Sequence, residues 1–532
     1  MMKSIVFLYA GFKNSYAFKN IYDEKSSFDL ALDWAFRTSD FCVIAVSPET
    51  EKNASQIVDK YSLGEKVRFV CEENWSSKSL ISALNAECKK NNADYAVFAL
   101  ADSPFLDDEL TKEAVDTHLK YHAEYTFVDG YPLSLAPEIL DSGLLGILEA
   151  MISEGRCKTS DSEVTNASIF NLLKTDINAF EIETVIASED FRQLRLDFST
   201  NDLRGFLSCK EVAEILKIEG KKINAQNISE CAKHSSRIQM TVPSFYTILL
   251  SNEVASNSIY NPFCRLYKCS GENVMSLEQF SDLVGKISAF SGDAVISLGG
   301  GWTEPCVLGE NLCSYIQTVL AYENLSLLIE TDGFLLTENL TEKIENILKN
   351  AKPRIKKNQN PLTWIVALDA FSAKTYSQIH NVDKFDQTVK SIELLCKHFP
   401  NVVYPQFTRM NANEAELEPF YRYWHEKTSP SSGNLIIQKY DSFCALLPNE
   451  KPADLSPLVR NPCWHAKRDM VILPGGQVLK CKECLLEEPV GNVFTEELSA
   501  IWESGRKIVE EHIECSYTEK CEKCDEYYTF NF

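Results

Sequence analysis

Six cysteines crowd into the final stretch of the chain: Cys463, Cys481, Cys484, Cys515, Cys521 and Cys524. Cys481/Cys484 and Cys521/Cys524 are C-x-x-C pairs, a spacing that lets two thiolates converge on one metal or cluster while the backbone amides between them turn toward the sulfurs. Three chemistries compete for them. Disulfides need an oxidising compartment, which nothing in the chain indicates. Structural zinc suits two C-x-x-C knuckles. An iron–sulfur cluster suits an all-cysteine set with surplus thiols and no local histidine pairing. His465 and His512 are near in sequence but keep no zinc-finger spacing, and they read as surface residues. Spacing alone leaves zinc open. Around the thiols, an apolar run (MVIL), a Pro-Gly-Gly turn at Pro474–Gly476, a second run (QVLKC) and a segment carrying Trp502 predict a hairpin followed by a helix.

The order of these features resembles the SPASM domain, the auxiliary iron–sulfur module of many radical S-adenosylmethionine (SAM) enzymes. The likeness rests on Cys463, Gly476, Cys481, Gly491-Asn492-Val493, Ile501-Trp502 and Cys521-x-x-Cys524. The chain as a whole, with its DEYYTFNF ending, is similar to the spiro-SPASM proteins. The resemblance implies a [4Fe–4S] cluster in the tail. A cubane needs four ligands; Cys463, Cys481, Cys521 and Cys524 come first, with Cys484 and Cys515 as alternates.

A chain of 532 residues holds two or three domains with separate cores. Its net charge of −23 argues against non-specific binding to nucleic acid or anionic lipid. No apolar run reaches the length of a membrane span, and the opening MMKSIVFLYAG reads as a first strand, not a signal peptide. The expected location is cytoplasmic, where thiols stay reduced. Cys42, Cys71, Cys88, Cys157, Cys209 and Cys231 read as small buried apolar residues.

Over residues 1–208 strand-like runs alternate with amphipathic helices, which predicts a doubly wound, largely parallel sheet. Functional acids in such sheets sit where strands end, the place of Asp102. This segment resembles the nucleotide-diphosphosugar transferase (GT-A-like) fold, in particular the cytidylyltransferases. Ala101–Leu106 stands at their GD-x-PFL strand end, and Arg195–Ser199 with Asp202-Leu203 at their late acidic segment. The resemblance implies that Asp102 and Asp197 hold a divalent metal. Ala10-Gly11-Phe12-Lys13-Asn14-Ser15 departs from the glycine-rich phosphate loop, so a fold that has lost nucleotide transfer is expected.

Residues 209–240 read as a helical linker. Across 241–450 strands and helices alternate again, in six or so units that fit a full or partial β/α barrel with its chemistry at the strand C-termini. Gly299-Gly300-Gly301-Trp302-Thr303-Glu304-Pro305, then Glu330-Thr331-Asp332-Gly333, then Leu368-Asp369-Ala370 resemble, in order, three strand-end motifs of radical SAM barrels. The implied cofactor residues are Gly300, Gly301, Glu304, Thr331 and Asp369, with Glu304 gripping the SAM amine. The C-x-x-x-C-x-x-C loop of those enzymes is replaced by Asn261–Cys269, which holds only Cys264 and Cys269; Cys306 and Cys313 are the nearest further thiols. Three thiolates and an open iron are the chemical requirement, and this loop does not meet it.

The expected architecture is thus α/β: the transferase-like domain, the partial barrel, and a cysteine-rich tail domain over 451–532. The expected function is that of an iron–sulfur protein whose barrel no longer cleaves SAM, acting on or holding an unknown peptide or small molecule. An active radical enzyme with an atypical cluster loop, with SAM as second cofactor, and a sugar nucleotidyltransferase are the alternatives.

Overall fold

The computed structural model describes residues 2–12, 16–157, 161–266, 274–356 and 359–529. The chain forms two compact units, Met1–Thr241 and Val242–Phe532.

The first unit is built on a seven-stranded sheet in the order Val67–Cys71, Cys42–Val46, Ser4–Ala10, Tyr95–Leu100, Glu138–Asp141, Tyr125–Asp129, Ile182–Ile186. Only Glu138–Asp141 runs antiparallel to its neighbours. Strand period 2 is visible in the cores: Ile5, Phe7 and Tyr9 belong to one hydrophobic cluster, Val6, Leu8 and Ala10 to another on the opposite face. A sheet buried on both faces is what the doubly wound reading requires.

The expected linker is part of this unit. Helices Leu203–Ile218 and Ala225–His234 bury Cys209, Val212, Leu216, Ile228 and Ala232 against Phe105, Leu194 and Phe198. Their apolar stripes recur at helical spacing and need a partner surface, so the segment folds back instead of spanning a gap. Of the scattered cysteines, Cys42, Cys88, Cys157 and Cys209 are buried as expected, but Cys71 is exposed and Cys231 half-buried.

In the second unit six parallel strands follow one another across a sheet: Phe245–Ile248, Ala294–Leu298, Leu325–Thr331, Leu362–Ala367, Val403–Arg409 and Ile436–Lys439. This is the partial barrel. The tail does not stand apart from it. Asp469–Ile472 pairs in parallel with the first barrel strand, Phe245 opposite Asp469, and Gln477–Leu479 and Gly491–Asn492 extend the same sheet in antiparallel fashion. The hairpin turns at Gly476, whose φ of +84° favours glycine. Asn492 ties the turn down by donating from Nδ2 to the Gly475 carbonyl at 3.0 Å.

Candidate metal centre and barrel cavity

The hairpin, the turn after it and the last helices carry the thiols to one cavity of about 450 Å³. Cys481 ends the hairpin, and a 3-10 turn over Lys482–Cys484 brings Cys484 beside it, with the two sulfurs 3.5 Å apart. Cys521 and Cys524 bracket the end of helix Glu519–Lys523, which Thr518 caps by accepting from the Cys521 N–H. Cys463 precedes helix Trp464–Arg468. All five line the cavity. Cys515 does not; it is exposed.

A sixth thiol is there that sequence spacing missed. Cys444 is buried, lines the same cavity and donates from its sulfur to Glu483 Oε2 at 3.7 Å. It sits in the loop after the last barrel strand, where Phe443, Cys444 and Ala445 all have positive φ (48°, 54° and 66°). Three successive non-glycine residues in the left-handed region cost roughly 1–2 kcal/mol each. Nothing in KYDSFCALL marks that cysteine: it lies outside any C-x-x-C pair.

Burial, reinforced by the Cys524 charge, pushes the Cys463 thiol up to about 12. The hydrogen bond between Cys481 and Cys484 raises the first and lowers the second. Proximity of the two side chains raises the Cys444 thiol and lowers that of Cys524.

The donor set fits an iron–sulfur cluster. Soft thiolates dominate it, with six cysteines lining the cavity, and this is the ligand chemistry that iron–sulfur clusters take. His465 and His512 also line the cavity and, against expectation, are buried. His465 bonds Asp469 through Nδ1 at 2.6 Å and Thr529 through Nε2 at 3.1 Å. Despite the cost of burial, the neighbouring Arg468 and His465 hold the Asp469 carboxyl down at about 2. His512 accepts the Cys463 N–H on Nδ1 at 3.2 Å, and burial together with nearby Arg460 pushes it down to about 4. The histidines are interior because they bind the tail's own backbone and side chains, a role that leaves no mark in spacing.

Next to this cavity lies a second, of about 180 Å³, inside the barrel. Phe245, Leu328 and Ile365 form its apolar floor, with Glu330, Gln406 and Gln438 among the polar groups around it. His465, Cys481 and Lys482 belong to the walls of both cavities. Lys482 is half-buried, and its ammonium lies 2.9 Å from both Asp441 and Glu526. Lys439 pairs with Asp525 at 2.8 Å and also with Glu526. Asp441, Asp525 and Glu526 converge as a metal site would, but these lysines and Lys451 already neutralise them.

The first two barrel motifs meet in one network, and the third stands in a separate one. Glu304, buried, accepts from the Cys306 N–H (2.8 Å), the Thr331 hydroxyl (2.8 and 3.0 Å) and the Asp332 N–H (2.8 Å). Burial and the Asp332 charge push its carboxyl up to about 7. Asp369 (φ +55°) accepts from the Tyr260 hydroxyl at 2.6 Å and the Thr408 N–H at 2.5 Å, with His380 Nε2 at 3.2 Å. Gly300 and Gly301 line the barrel cavity. Both carboxylates named as cofactor ligands are therefore engaged by the chain itself. Cys264 donates to the Ser256 carbonyl at 3.5 Å; Cys306 is buried against Glu304 and Thr331; Cys313 is half-buried. Cys269, its expected companion, lies outside the described residues.

In the first unit Asp102 is buried at the expected strand end. Asp197 accepts from the Ser134 hydroxyl at 2.6 Å and the Ser199 N–H at 2.9 Å, and burial raises its carboxyl. Among the described residues neither acid joins a set of three converging metal donors. Lys13, Asn14 and Ser15 of the expected phosphate-loop position lie outside the described residues.

Comparison with known proteins bears on the tail first. Residues 463–525 match the SPASM family, an iron–sulfur cluster-binding domain. An uncharacterised protein of Treponema pallidum (strain Nichols) is 37% identical over 374 residues, 68% of this chain and 98% of that protein. Among solved structures, SuiB of Streptococcus suis bound to S-adenosylmethionine is similar at 14% identity and a TM-score of 0.41, over 64% of this chain and 88% of that one. A cytidylyltransferase from Leptospira borgpetersenii is similar at 15% identity and a TM-score of 0.37, over 45% and 98% respectively. The chain belongs to one family with the Treponema pallidum protein, and the SPASM domain that its sequence resembles is present over residues 463–525.

Proposed function

We propose that the second unit is an iron–sulfur protein that holds a [4Fe–4S] cluster in the tail cavity, on four thiolates drawn from Cys463, Cys481, Cys521 and Cys524 and their neighbours. The observation that carries this reading is the convergence of thiols from three separate segments on one cavity large enough for a cluster. When bound, such a cluster supplies one-electron transfer. The chain's own contribution is to place that centre against the barrel cavity, across a wall made of His465, Cys481 and Lys482. A small molecule or peptide segment in the barrel would lie beside the cluster, screened from water by the apolar floor.

The barrel reads as retired from SAM cleavage. What supports this is the use of Glu304 and Asp369 in internal hydrogen bonds and the degenerate Asn261–Cys269 loop. The bonding of the first two strand-end motifs to each other, through Glu304, Thr331 and Asp332, is the observation that favours the second reading, an active radical enzyme. Iron and sulfide content after anaerobic purification and reconstitution, with EPR of the reduced protein with and without SAM, decides between them. About four irons and a signal indifferent to SAM support a single tail cluster. A doubled iron content, a SAM-shifted signal and release of 5′-deoxyadenosine support the radical enzyme. Zinc in place of iron defeats both.

A further inference from the structure

Strand Leu325–Thr331 sends Leu328 and Glu330 to one face at period 2, and Leu328 belongs to the apolar floor of the barrel cavity. Glu330 carries a carboxylate into that cavity two residues further on. Its Oε1 accepts from the Ser297 hydroxyl at 2.7 Å. Its Oε2 has no hydrogen-bond or ion-pair partner among the described residues. A Cβ on Gly301 would stand 3.4 Å from that oxygen, so glycine there keeps the approach to it open. The other charged side chains lining the cavity are met by the chain itself: Lys482 by Asp441 and Glu526, Lys439 by Asp525 and Glu526, Asp469 by His465 and Arg468. Glu330 also borders a recess of about 40 Å³, whose described lining holds Glu304 and Asp332 but no lysine, arginine or histidine. Burial raises the Glu330 carboxyl, opposed by the Ser297 hydrogen bond and the charge of Lys482. A carboxylate removed from water without a cation in contact is unfavourable, and an arriving cation offsets that cost.

Resting on the reading of the barrel cavity as the place of a substrate, we infer that this substrate is a small primary amine, its ammonium held by Glu330 Oε2 and its body lying on Phe245, Leu328 and Ile365. The chemistry of the site selects among ligands. An acid would be repelled by Glu330, and an alcohol would leave its charge unmet. Trp302 and Phe443, with ring centroids 6.0 Å apart, line the same cavity, and aromatic faces attract cations. Size narrows the class further. A volume of about 180 Å³ falls below the roughly 300 Å³ at which pockets for drug-sized ligands begin, so the cavity takes one ring or a short chain and not a nucleoside. Glu330 is thus a binding residue for the substrate, separate from Glu304, whose oxygens the chain already occupies.

The test is calorimetric titration of the full chain, purified anaerobically and reconstituted, at neutral pH with phenethylamine, protonated there, and with its neutral counterpart phenethyl alcohol. Wild type is expected to bind the amine about tenfold or more tighter than the alcohol, the difference a charge-assisted hydrogen bond supplies. Glu330→Gln is expected to lose that preference with its affinity for the alcohol unchanged, whereas Ser297→Ala, which keeps the carboxylate, retains it. Equal binding of amine and alcohol by wild type overturns the inference, as do no binding of the amine and an undiminished preference in Glu330→Gln. Displacement of the amine by SAM overturns it too, since the ammonium site would then be the cofactor's. Iron content of the same samples reports on the cluster separately: amine selectivity in a chain that binds no iron supports this inference while defeating the cluster reading. The comparison of amine with alcohol on wild type needs no variant, and thermal melting shows whether each variant has folded.

Discussion

The backbone N–H of Cys463 donates to Nδ1 of His512 across 3.2 Å, joining residues forty-nine positions apart that both line the thiol cavity. Because Nδ1 accepts, the ring proton of the neutral imidazole sits on Nε2. Replacing His512 by Phe leaves a buried N–H unmet beside a candidate ligand, at a cost of about 1–3 kcal/mol. His512→Phe is expected to speed cluster loss to a chelator severalfold, while His512→Asn, which keeps an acceptor, lies between it and wild type. Equal loss rates for all three would count against this anchoring role.

Lys482 is the cation on which Asp441 and Glu526 converge, each at 2.9 Å. Removing one partner of a buried ion pair strands the other charge and costs about 3–5 kcal/mol. Lys482→Met should therefore lower the denaturant midpoint of the second unit markedly, and the double change Lys482→Met/Glu526→Gln should recover part of it. A single variant as stable as wild type would show the pairing to be dispensable.

Gly300 has φ +56°, and a Cβ there would stand 2.4 Å from the Thr247 methyl on the first barrel strand. The left-handed backbone alone costs a non-glycine residue about 1–2 kcal/mol, and the clash adds to it. Gly300→Ala is expected to lower the melting temperature, and Thr247→Ala in the same chain to restore some of the loss.

Glu138 gives the first unit a pH signature. One carboxyl oxygen is buried without a hydrogen-bond partner, and burial pushes the group up to about 8, opposed by the hydrogen bond from Tyr125. The folded chain thus holds a proton that the unfolded chain has released above about 4.5, the group's ordinary value. Stability from this group is full below about 4.5 and is lost as pH rises toward 8. Glu138→Gln should flatten that decline and stabilise the first unit most at pH 8; denaturation of both proteins from pH 5 to 9 measures it. An unchanged pH slope would place the proton elsewhere.

The sequence by itself determined the alternation of strand and helix in both units, because period-2 and period-3.6 apolar patterns are local properties of the chain. It also marked the C-x-x-C pairs, whose geometry is set over three residues, and the glycine turn of the hairpin. Tertiary structure decided the rest. Leu203–His234 became part of the first core because its apolar faces found Phe105 and Phe198, a surface assembled from distant segments. Asp469–Ile472 joined the barrel sheet, since an open edge at Phe245–Ile248 was there to pair with it. Cys515, well placed in sequence, was turned outward, while Cys444 was brought in by a loop whose neighbours override its backbone preference. His465 and His512 moved from expected surface to interior for the same reason: their partners, Asp469, Thr529 and the Cys463 amide, become neighbours only once the sheet and the last helices are in place.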